Sequence, residues 1–263
     1  MRVRSAEEKL NVTQNPWFYV PKPNCKAKLK LFCFPYAGGT AEIYYAWPYD
    51  LPEEIEMLAI HYPGHIPRSN ERLFTRISKL VEAISGEIVR YTDKSYAFFG
   101  HSMGALVAYE LSRRFASEGR KMPEYLFLSA RRAPHIPVIH PHMHKLTKEE
   151  WISVMRCFNM VPEEVIKNMK LLEKILPVIK ADFEMVETWQ FDAQTPPLDI
   201  PVCVFGGIND NLAPKKDIEA WEKMTRKKFN AYFFPEKHFF IMKDEVRIQL
   251  ITILVNMLKP FLK

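Results

Sequence analysis

Short apolar runs alternate along the chain with longer segments in which apolar residues recur every three or four positions. The apolar runs predict strands at Lys28–Pro35, Met57–Tyr62, Ser95–Gly100, Tyr125–Ser129, Val202–Phe205 and Ala231–Phe234. The longer period predicts helices at Ile77–Tyr91, Gly104–Glu118, Ile218–Met224 and Glu245–Leu258. Strands that alternate with helices are typical of βαβ units, so the pattern predicts an α/β fold with a mostly parallel central sheet flanked by helices.

The interval from residue 133 to 195 breaks this alternation, because three helical patterns follow one another without a strand between them. Thr147 and Glu150 have the spacing of a capping box at the start of the first pattern. Pro177 is expected to kink or break the third. We predict one domain, residues 1–263, with a helical lid insertion at about 133–195. The three helical patterns are Lys148–Phe158, Pro162–Met169 and Leu171–Trp189.

A G-x-S-x-G pentapeptide occupies residues 100–104, between the strand predicted at Ser95–Gly100 and the helix predicted at Gly104–Glu118. Strand, tight turn and helix form the nucleophile elbow of α/β-hydrolases, in which the turn strains the backbone of the central residue. The flanking glycines remove side chains that would collide. The pattern therefore predicts an α/β-hydrolase fold with Ser102 as nucleophile, and hence a serine hydrolase or an acyltransferase.

The acid and the base of such a triad follow the nucleophile in the chain order Ser, Asp or Glu, His. A histidine takes the serine proton, and a carboxylate fixes the tautomer of that histidine. We predict Asp210, which follows the strand at Val202–Phe205, and His238, which lies between the last strand and the last helix. Two aspartates compete for the acid: Asp217 is expected to cap a helix, and Asp199 precedes the strand, at the wrong end of the sheet.

An oxyanion hole requires two backbone N–H groups. Met103, directly after the nucleophile, is expected to supply one. The loop at 34–40, with a proline and two adjacent glycines, is expected to supply the other from Tyr36 or Ala37. We prefer Tyr36 because it directly follows the Phe-Pro turn. Phosphate binding by the same glycines is the alternative, but the loop lacks the lysine and hydroxyl of a P-loop.

The remaining histidines and the cysteines suggest no second chemistry. His61 and His65 come too early in the chain for the base, and His101 is expected to pack beside the nucleophile. Cys33 and Cys203 lie in apolar runs and are expected to be buried thiols, which fits a reducing compartment. No metal site is predicted for the histidines at the start of the insertion, because no cysteine or carboxylate pair lies near them in the sequence. These histidines are His135, His140, His142 and His144.

Composition and charge narrow the class of partner. The net charge of +6 is spread along the chain, which predicts a solvated basic surface, with attraction to an acidic protein partner as the alternative, and no nucleic-acid binding. No apolar stretch is long enough to span a bilayer, and the first residues lack the apolar region of a signal peptide. We therefore expect a soluble, cytoplasmic protein, in which the sequon Asn11-Val12-Thr13 is a chance match. We expect a monomer because the sequence shows no sustained heptad or other association signature.

Several segments occur together in the order found in one enzyme family. They are Phe34-Pro35-Tyr36-Ala37-Gly38-Gly39, Tyr62-Pro63-Gly64-His65, Phe99 to Ala105, Ser129 to Pro134, Leu176-Pro177, Lys180-Ala181-Asp182-Phe183, Gly207 to Asp210, the helix around Trp221, and His238-Phe239-Phe240. Together they resemble the type II thioesterases of nonribosomal peptide and polyketide pathways, and the relatives that release chains from fatty acid synthases.

The resemblance implies an α/β-hydrolase fold with a helical lid and no cofactor of its own. It implies a substrate in which an acyl group is held as a phosphopantetheine thioester on a carrier protein. It maps the nucleophile, acid and base onto Ser102, Asp210 and His238. Relatives commonly have glycines just before the histidine, where this chain has Glu236 and Lys237.

Three alternatives stay open beside hydrolysis of carrier-bound thioesters. The same triad serves an acyltransferase or cyclase with an acceptor other than water, or a general carboxylesterase. A carrier-binding module without activity is disfavoured by the intact triad. Arg131 and Arg132 are expected either to dock a carrier protein or to have a structural role near the site. Apolar side chains of the insertion are expected to line an acyl tunnel or to pack the lid: Trp151, Met155, Phe158, Met160, Met169, Met185 and Trp189.

Overall fold

A computed structural model describes residues 14–137, 142–158 and 160–263. Its strands are β1 (Phe18–Tyr19), β2 (Leu29–Phe34), β3 (Ile55–Ile60), β4 (Ser95–His101), β5 (Leu126–Ser129), β6 (Val202–Gly207) and β7 (Phe229–Phe234). They form one sheet in the order β1-β3-β2-β4-β5-β6-β7. All neighbours pair in parallel except β1, which runs antiparallel to β3. The predicted mostly parallel sheet is confirmed.

Helices cover both faces of this sheet. They are α1 (Trp47–Asp50), α2 (Ile77–Ile88), α3 (Met103–Ser117), α4 (Lys148–Phe158), α5 (Glu163–Lys167), α6 (Met169–Thr188), α7 (Lys215–Glu219) and α8 (Asp244–Leu258). Alternate residues of each strand point to opposite faces, so Phe32 and Phe34 of β2 pack with α2 and α3, whereas Leu31 and Cys33 pack with α1 and α8. The sheet is therefore buried on both sides, which explains why its strands are continuous apolar runs.

Two of these elements have no counterpart in the sequence prediction. The strand β1 and the helix α1 are too short for a periodic pattern to develop. The predicted helix Ile218–Met224 is two elements, because α7 ends at Glu219 and a 3-10 helix continues over Ala220–Met224. None of these differences changes the order of the central strands.

The helices α4, α5 and α6 occupy the predicted interval between β5 and β6, here called the helical insertion (residues 133–195). The capping box is confirmed, because the N–H of Thr147 donates to Oε2 of Glu150 over 2.7 Å and the N–H of Glu150 donates to Oγ1 of Thr147 over 3.2 Å. Of the two outcomes predicted at Pro177, the break is wrong, since α6 continues through it, and the kink stays a prediction. Side chains on both sides of Pro177 are buried among the helices of the insertion, and this packing outweighs the lost backbone hydrogen bond. They include Leu172, Leu176 and Ile179.

The cysteines agree with the sequence prediction. All four cysteines are free, and Cys33 and Cys203 are buried as predicted. Burial raises the pKa of both buried thiols, which makes them poor nucleophiles.

Among the described helices none is both long and apolar enough to cross a bilayer. The sequon at 11–13 lies outside the described residues.

Candidate active site

The residue at the centre of the pentapeptide has the strained backbone that the sequence predicts. Ser102 joins β4 to α3 with φ of 54° and ψ of −113°, a region that non-glycine residues rarely adopt. Its N–H donates to the carbonyl of Ser129 over 2.8 Å, which ties the turn to the neighbouring strand β5. A Cβ at Gly104 would collide with the carbonyl group of Phe34, and one at Gly100 would collide with the carbonyl group of Gly104. The turn therefore requires both glycines.

Ser102, His238 and Asp210 lie at the carboxyl edge of the sheet and form a continuous hydrogen-bonded chain. The Ser102 hydroxyl donates to Nε2 of His238 over 3.0 Å, and Nδ1–H of His238 donates to Oδ2 of Asp210 over 2.7 Å. The other Asp210 oxygen accepts the N–H groups of Leu212 at 2.8 Å and Ala213 at 3.2 Å. These bonds fix the carboxylate, the carboxylate fixes the imidazole tautomer, and the unprotonated Nε2 faces the hydroxyl.

The two competing aspartates lie elsewhere. Asp199 is exposed and pairs with Lys227 at 3.2 Å. The prediction that Asp217 caps a helix is wrong, because Pro214 occupies the N-cap position of α7 and Asp217 lies within its first turn. There Asp217 is 3.9 Å from Arg132, and its charge is favoured by the helix dipole.

The backbone N–H groups predicted for the oxyanion hole are available. Met103 is the first residue of α3, so its N–H has no partner within the helix. Met103, Tyr36 and Ala37 all line the same pocket as Ser102. Within the described part of the chain, the amides of these three residues donate to no protein acceptor. The hydrogen bonds of the described residues therefore do not decide whether Tyr36 or Ala37 is the second donor of the oxyanion hole.

Sequence reasoning missed an ion pair that touches this loop. Oδ2 of Asp182, in α6, accepts the N–H of Gly38 over 2.7 Å and the Nε2–H of His65 over 2.9 Å. Asp182 and His65 are both buried. Burial acts to lower the pKa of His65, but the charge of Asp182 and the hydrogen bond to it raise this pKa above its ordinary value. The only sequence signal was that both residues lie in segments shared with the resembling family.

His101 packs beside the nucleophile as expected. Its Nδ1 hydrogen-bonds with the hydroxyl of Ser129 at 2.8 Å, and its ring lies 5.5 Å from that of His238, centroid to centroid. Burial, and then the charge of His238, lower the pKa of His101 well below the ordinary 6.5. His101 is therefore neutral at physiological pH.

A pocket of about 850 Å³, including its open mouth, lies between the carboxyl edge of the sheet and the helical insertion. Of the seven apolar side chains considered for an acyl tunnel, Phe158 and Met160 line it. Trp151, Met155, Met185 and Trp189 pack in the protein interior instead, which is the alternative given for them. The seventh, Met169, is exposed. The pocket wall is mostly apolar, which suits an acyl chain.

The two adjacent arginines at the end of β5 have different environments. Arg132 donates to the carbonyls of Pro137 at 3.1 Å and Leu212 at 3.0 Å, so it ties two loops together. Arg131 lines the pocket beside Ser102. Burial, helped by the charge of Arg132, lowers the pKa of Arg131 to about 10, which leaves it charged at neutral pH. Of the two roles considered for this pair, the structural role therefore applies to Arg132.

The histidines at the start of the insertion have a carboxylate neighbour that the sequence did not reveal. His142, His144 and Glu187 have potential ligand atoms within 4.8 Å of one another. Glu187 accepts the N–H groups of Met143 at 2.7 Å and His144 at 3.2 Å, and a contact from Nδ1 of His144. The carboxylate therefore caps the 3-10 helix Met143–Lys145. His135 lies apart, against Phe191, and His140 lies outside the described residues.

A mostly parallel sheet with a strained serine between β4 and α3, and a His-Asp pair at the ends of β7 and β6, defines an α/β-hydrolase. Comparison with known proteins narrows this class. The family model of the thioesterase domain matches residues 29–256. The gramicidin S biosynthesis protein GrsT of Aneurinibacillus migulanus is 37% identical over 231 residues, which cover 88% of this chain and 90% of GrsT.

Two solved structures are similar over nearly the whole fold. RedJ, the thioesterase from the prodiginine biosynthetic pathway in Streptomyces coelicolor, is 33% identical, with a TM-score of 0.82 over 88% of this chain and 91% of RedJ. The type II thioesterase BorB from the borrelidin biosynthetic cluster is 30% identical, with a TM-score of 0.84 over 93% of this chain and 98% of BorB. The chain belongs to the thioesterase family and is a hydrolase of thioester bonds.

Proposed function

We propose that this enzyme hydrolyses acyl thioesters held on the phosphopantetheine of carrier proteins, with Ser102 as nucleophile, His238 as base and Asp210 as the acid. The observation that carries the proposal is the hydrogen-bonded chain from Ser102 through His238 to Asp210, in a member of the thioesterase family. A nucleophile within hydrogen-bond reach of a base that a third group orients is the arrangement typical of nucleophilic acyl transfer.

Acylation follows from the positions of the three side chains. Nε2 of His238 takes the hydroxyl proton as Oγ of Ser102 attacks the thioester carbonyl carbon. The oxyanion that forms accepts hydrogen bonds from the N–H groups of Met103 and Tyr36. When the C–S bond breaks, His238 returns the proton to the leaving sulfur, and the products are a free thiol and an acyl ester of Ser102.

Deacylation repeats these steps with water. His238 removes a proton from a water molecule, whose oxygen attacks the ester carbonyl and forms a second oxyanion in the same place. His238 then protonates Oγ of Ser102 as the C–O bond to the serine breaks, and the free acid leaves. Asp210 stays ionised throughout and stabilises the imidazolium in both halves of the reaction. No metal or cofactor takes part in these steps.

The helical insertion is proposed to act as the lid over the acyl group. Phe158, Met160 and Phe183 of the insertion line the same pocket as Ser102, and a low-polarity wall strengthens the electrostatic stabilisation of the oxyanion. GrsT, RedJ and BorB are named for peptide and other biosynthetic pathways. We propose the corresponding role here, namely editing or release of acyl units on a nonribosomal peptide or polyketide synthase.

The first experiment is mass spectrometry of an acyl-loaded carrier protein before and after addition of the enzyme. We expect loss of the acyl mass and appearance of the free acid, and we expect Ser102→Ala to slow this by roughly 10⁴-fold or more. Ser117→Ala is the matched control, because Ser117 ends the same helix α3 and, among the described residues, its hydroxyl bonds only to the carbonyl of Arg114. Undiminished hydrolysis by Ser102→Ala would contradict the triad.

The same measurement separates the alternatives. If the carrier loses its acyl group, Ser102 becomes acylated, no free acid forms, and an added alcohol or amine takes up the acyl group as an ester or amide, the enzyme is an acyltransferase or cyclase. If matched oxygen esters and thioesters are cleaved equally well, it is a general esterase. A module without activity would fail to react with a fluorophosphonate probe at Ser102.

A further inference from the structure

The helix α6 contacts the loop at residues 34–40, here called the oxyanion loop, at two adjacent points. Oδ2 of Asp182 accepts the N–H of Gly38 over 2.7 Å. One turn earlier on α6, Ile179 packs on the same glycine so closely that a Cβ at Gly38 would lie 2.6 Å from Cγ1 of Ile179. Gly38 has φ of +76°, so only glycine satisfies both the close approach and the backbone conformation. A helix of the insertion therefore holds the loop directly.

The carboxylate that holds the loop is a buried charge, and within the described part of the chain its partner cation is His65. Asp182 is 0% exposed and His65 is 3% exposed. Nε2–H of His65 donates to Oδ2 of Asp182 over 2.9 Å, and its Nδ1 faces the carbonyl of Pro63 at 3.4 Å. Both ring nitrogens face acceptors, an arrangement that fits the doubly protonated imidazolium. A buried pair of this kind keeps its geometry, because breaking it leaves an uncompensated charge.

The hydrogen bonds of the oxyanion loop divide its N–H groups into two sets. The N–H of Gly38 is taken by Asp182, and the N–H of Gly39 closes a turn onto the carbonyl of Tyr36 at 2.9 Å. Within the described residues, those of Tyr36 and Ala37 have no protein acceptor. The anchor thus lies one residue beyond the free N–H groups that line the pocket with Ser102.

We infer that Asp182 and His65 are positioning residues, which fix the oxyanion loop so that its free N–H reaches the developing oxyanion. This inference rests on the proposed function, because it assigns the loop a donor in the oxyanion hole. It also couples that hole to the helical insertion: Phe183, next to Asp182 on α6, lines the pocket. An acyl chain that contacts Phe183 therefore contacts α6, the same helix that holds the oxyanion loop.

The test measures kcat and KM on a small soluble acyl thioester for Asp182→Ala, Asp182→Asn and His65→Gln. A donor that acts only in the transition state affects kcat, so we expect Asp182→Ala to lower kcat by roughly 10²-fold, as loss of one oxyanion donor does, with KM nearly unchanged. Asp182→Asn is expected to recover part of this loss, because its amide oxygen still accepts the N–H of Gly38.

The matched control is Glu184→Gln. Glu184 lies two residues further along α6 and ties that helix to the body through Arg76 at 3.1 Å, without touching the oxyanion loop. We expect its kcat to stay within about twofold of the wild-type value. An equal loss of kcat in Glu184→Gln, or a rise in KM with unchanged kcat in Asp182→Ala, would overturn the inference, since either result means that Asp182 only holds the insertion in place.

A second measurement keeps this test separate from the proposed function. An acyl trifluoromethyl ketone forms a hemiketal on the active serine, whose oxygen occupies the oxyanion hole, and its binding is measured whether or not any thioester is turned over. We expect Asp182→Asn to weaken this binding while Glu184→Gln leaves it unchanged; equal binding by all three proteins would overturn the positioning role. Failure of wild-type enzyme to hydrolyse any thioester would contradict the proposed function instead. Thermal melting identifies any variant that does not fold, and the remaining variants then decide the outcome.

Discussion

His101 is a histidine that the folded protein keeps in its neutral form. Its ring is fully buried, and burial followed by the charge of His238 lowers its pKa well below the ordinary value. A positive charge on His101 would lie 5.5 Å, centroid to centroid, from the ring of His238 and would disfavour protonation of that base. A neutral His101 is therefore compatible with the role proposed for His238 as the base that takes the proton of Ser102.

The lowered pKa of His101 predicts a loss of stability in acid. Below the ordinary pKa of 6.5, the unfolded chain binds a proton at this residue and the folded protein does not, so the free energy of unfolding falls as pH falls. The expected slope is up to about 1.4 kcal/mol per pH unit for this group alone. Denaturant unfolding of wild type and His101→Gln is to be measured between pH 5 and pH 8, an interval of about 3 units that spans the ordinary histidine range. The free energy of unfolding should fall less steeply with falling pH for the variant than for wild type. Parallel curves would contradict the assignment.

The positions of single residues explain which part of the site the sequence predicted. Ser102, Asp210 and His238 each follow a strand, and the carboxyl ends of parallel strands meet at one edge of a sheet, so their proximity follows from topology. Asp182 and His65 are 117 positions apart, and neither has a spacing that identifies its partner. Their contact depends on how the helical insertion packs on the body, which local patterns do not encode.

At the scale of elements, the elbow depends on how closely α3 approaches β2. The backbone of Gly104 lies against the carbonyl group of Phe34, at the end of β2, and leaves no space for a Cβ. Gly86 is also helical, in α2, but its Cβ would meet nothing within 4 Å. The two glycines thus have opposite roles: one permits a close approach between elements, and the other only costs helix stability.

We expect Gly104→Ala to destabilise the protein by about 3 kcal/mol, because a backbone carbonyl cannot move aside as a side chain can. The displaced helix would also misplace the N–H of Met103, so the reaction of Ser102 with a fluorophosphonate probe should slow. Gly86→Ala should stabilise by roughly 0.5–1 kcal/mol and leave the reaction rate unchanged. Denaturant unfolding and probe kinetics on both variants check this, and a neutral Gly104→Ala would show that the approach is not tight.

Elements were predictable where an apolar run or a hydrophobic period extends over enough residues. The central strands satisfy the first condition, and the long helices α2, α3 and α8 satisfy the second. The strand β1 fails because it has two residues, and its pairing with β3 is a tertiary contact. The predicted break at Pro177 does not occur in α6. A local rule includes the cost of a proline within a helix but ignores the burial of neighbouring side chains such as Leu176 and Ile179.

At the scale of the whole molecule, the net charge is +6. Whether it attracts the proposed carrier-protein partner depends on where the basic side chains lie relative to Ser102. Lys237 is exposed beside His238, at the edge of the sheet where Ser102 lies. Lys228 is also exposed but precedes β7, so it lies at the opposite, amino edge. A partner that delivers a thioester to Ser102 must approach the first edge, and only charges there can act within a Debye length of about 10 Å at 0.1 M salt.

We therefore expect Lys237→Glu to raise KM for a carrier-bound acyl thioester by about fivefold at low salt, as a surface pair worth roughly 1 kcal/mol would. Lys228→Glu should have no effect, and added salt should raise the wild-type KM toward that of Lys237→Glu because it screens the same attraction. A small soluble thioester with the same acyl group isolates docking from chemistry, since its KM should respond to neither charge reversal nor salt.

If Lys237→Glu changes KM for both substrates alike, the effect acts through His238 and not through a partner. If neither variant nor salt changes KM for the carrier-bound substrate, docking depends on shape and apolar contact, and the basic surface is only solvated.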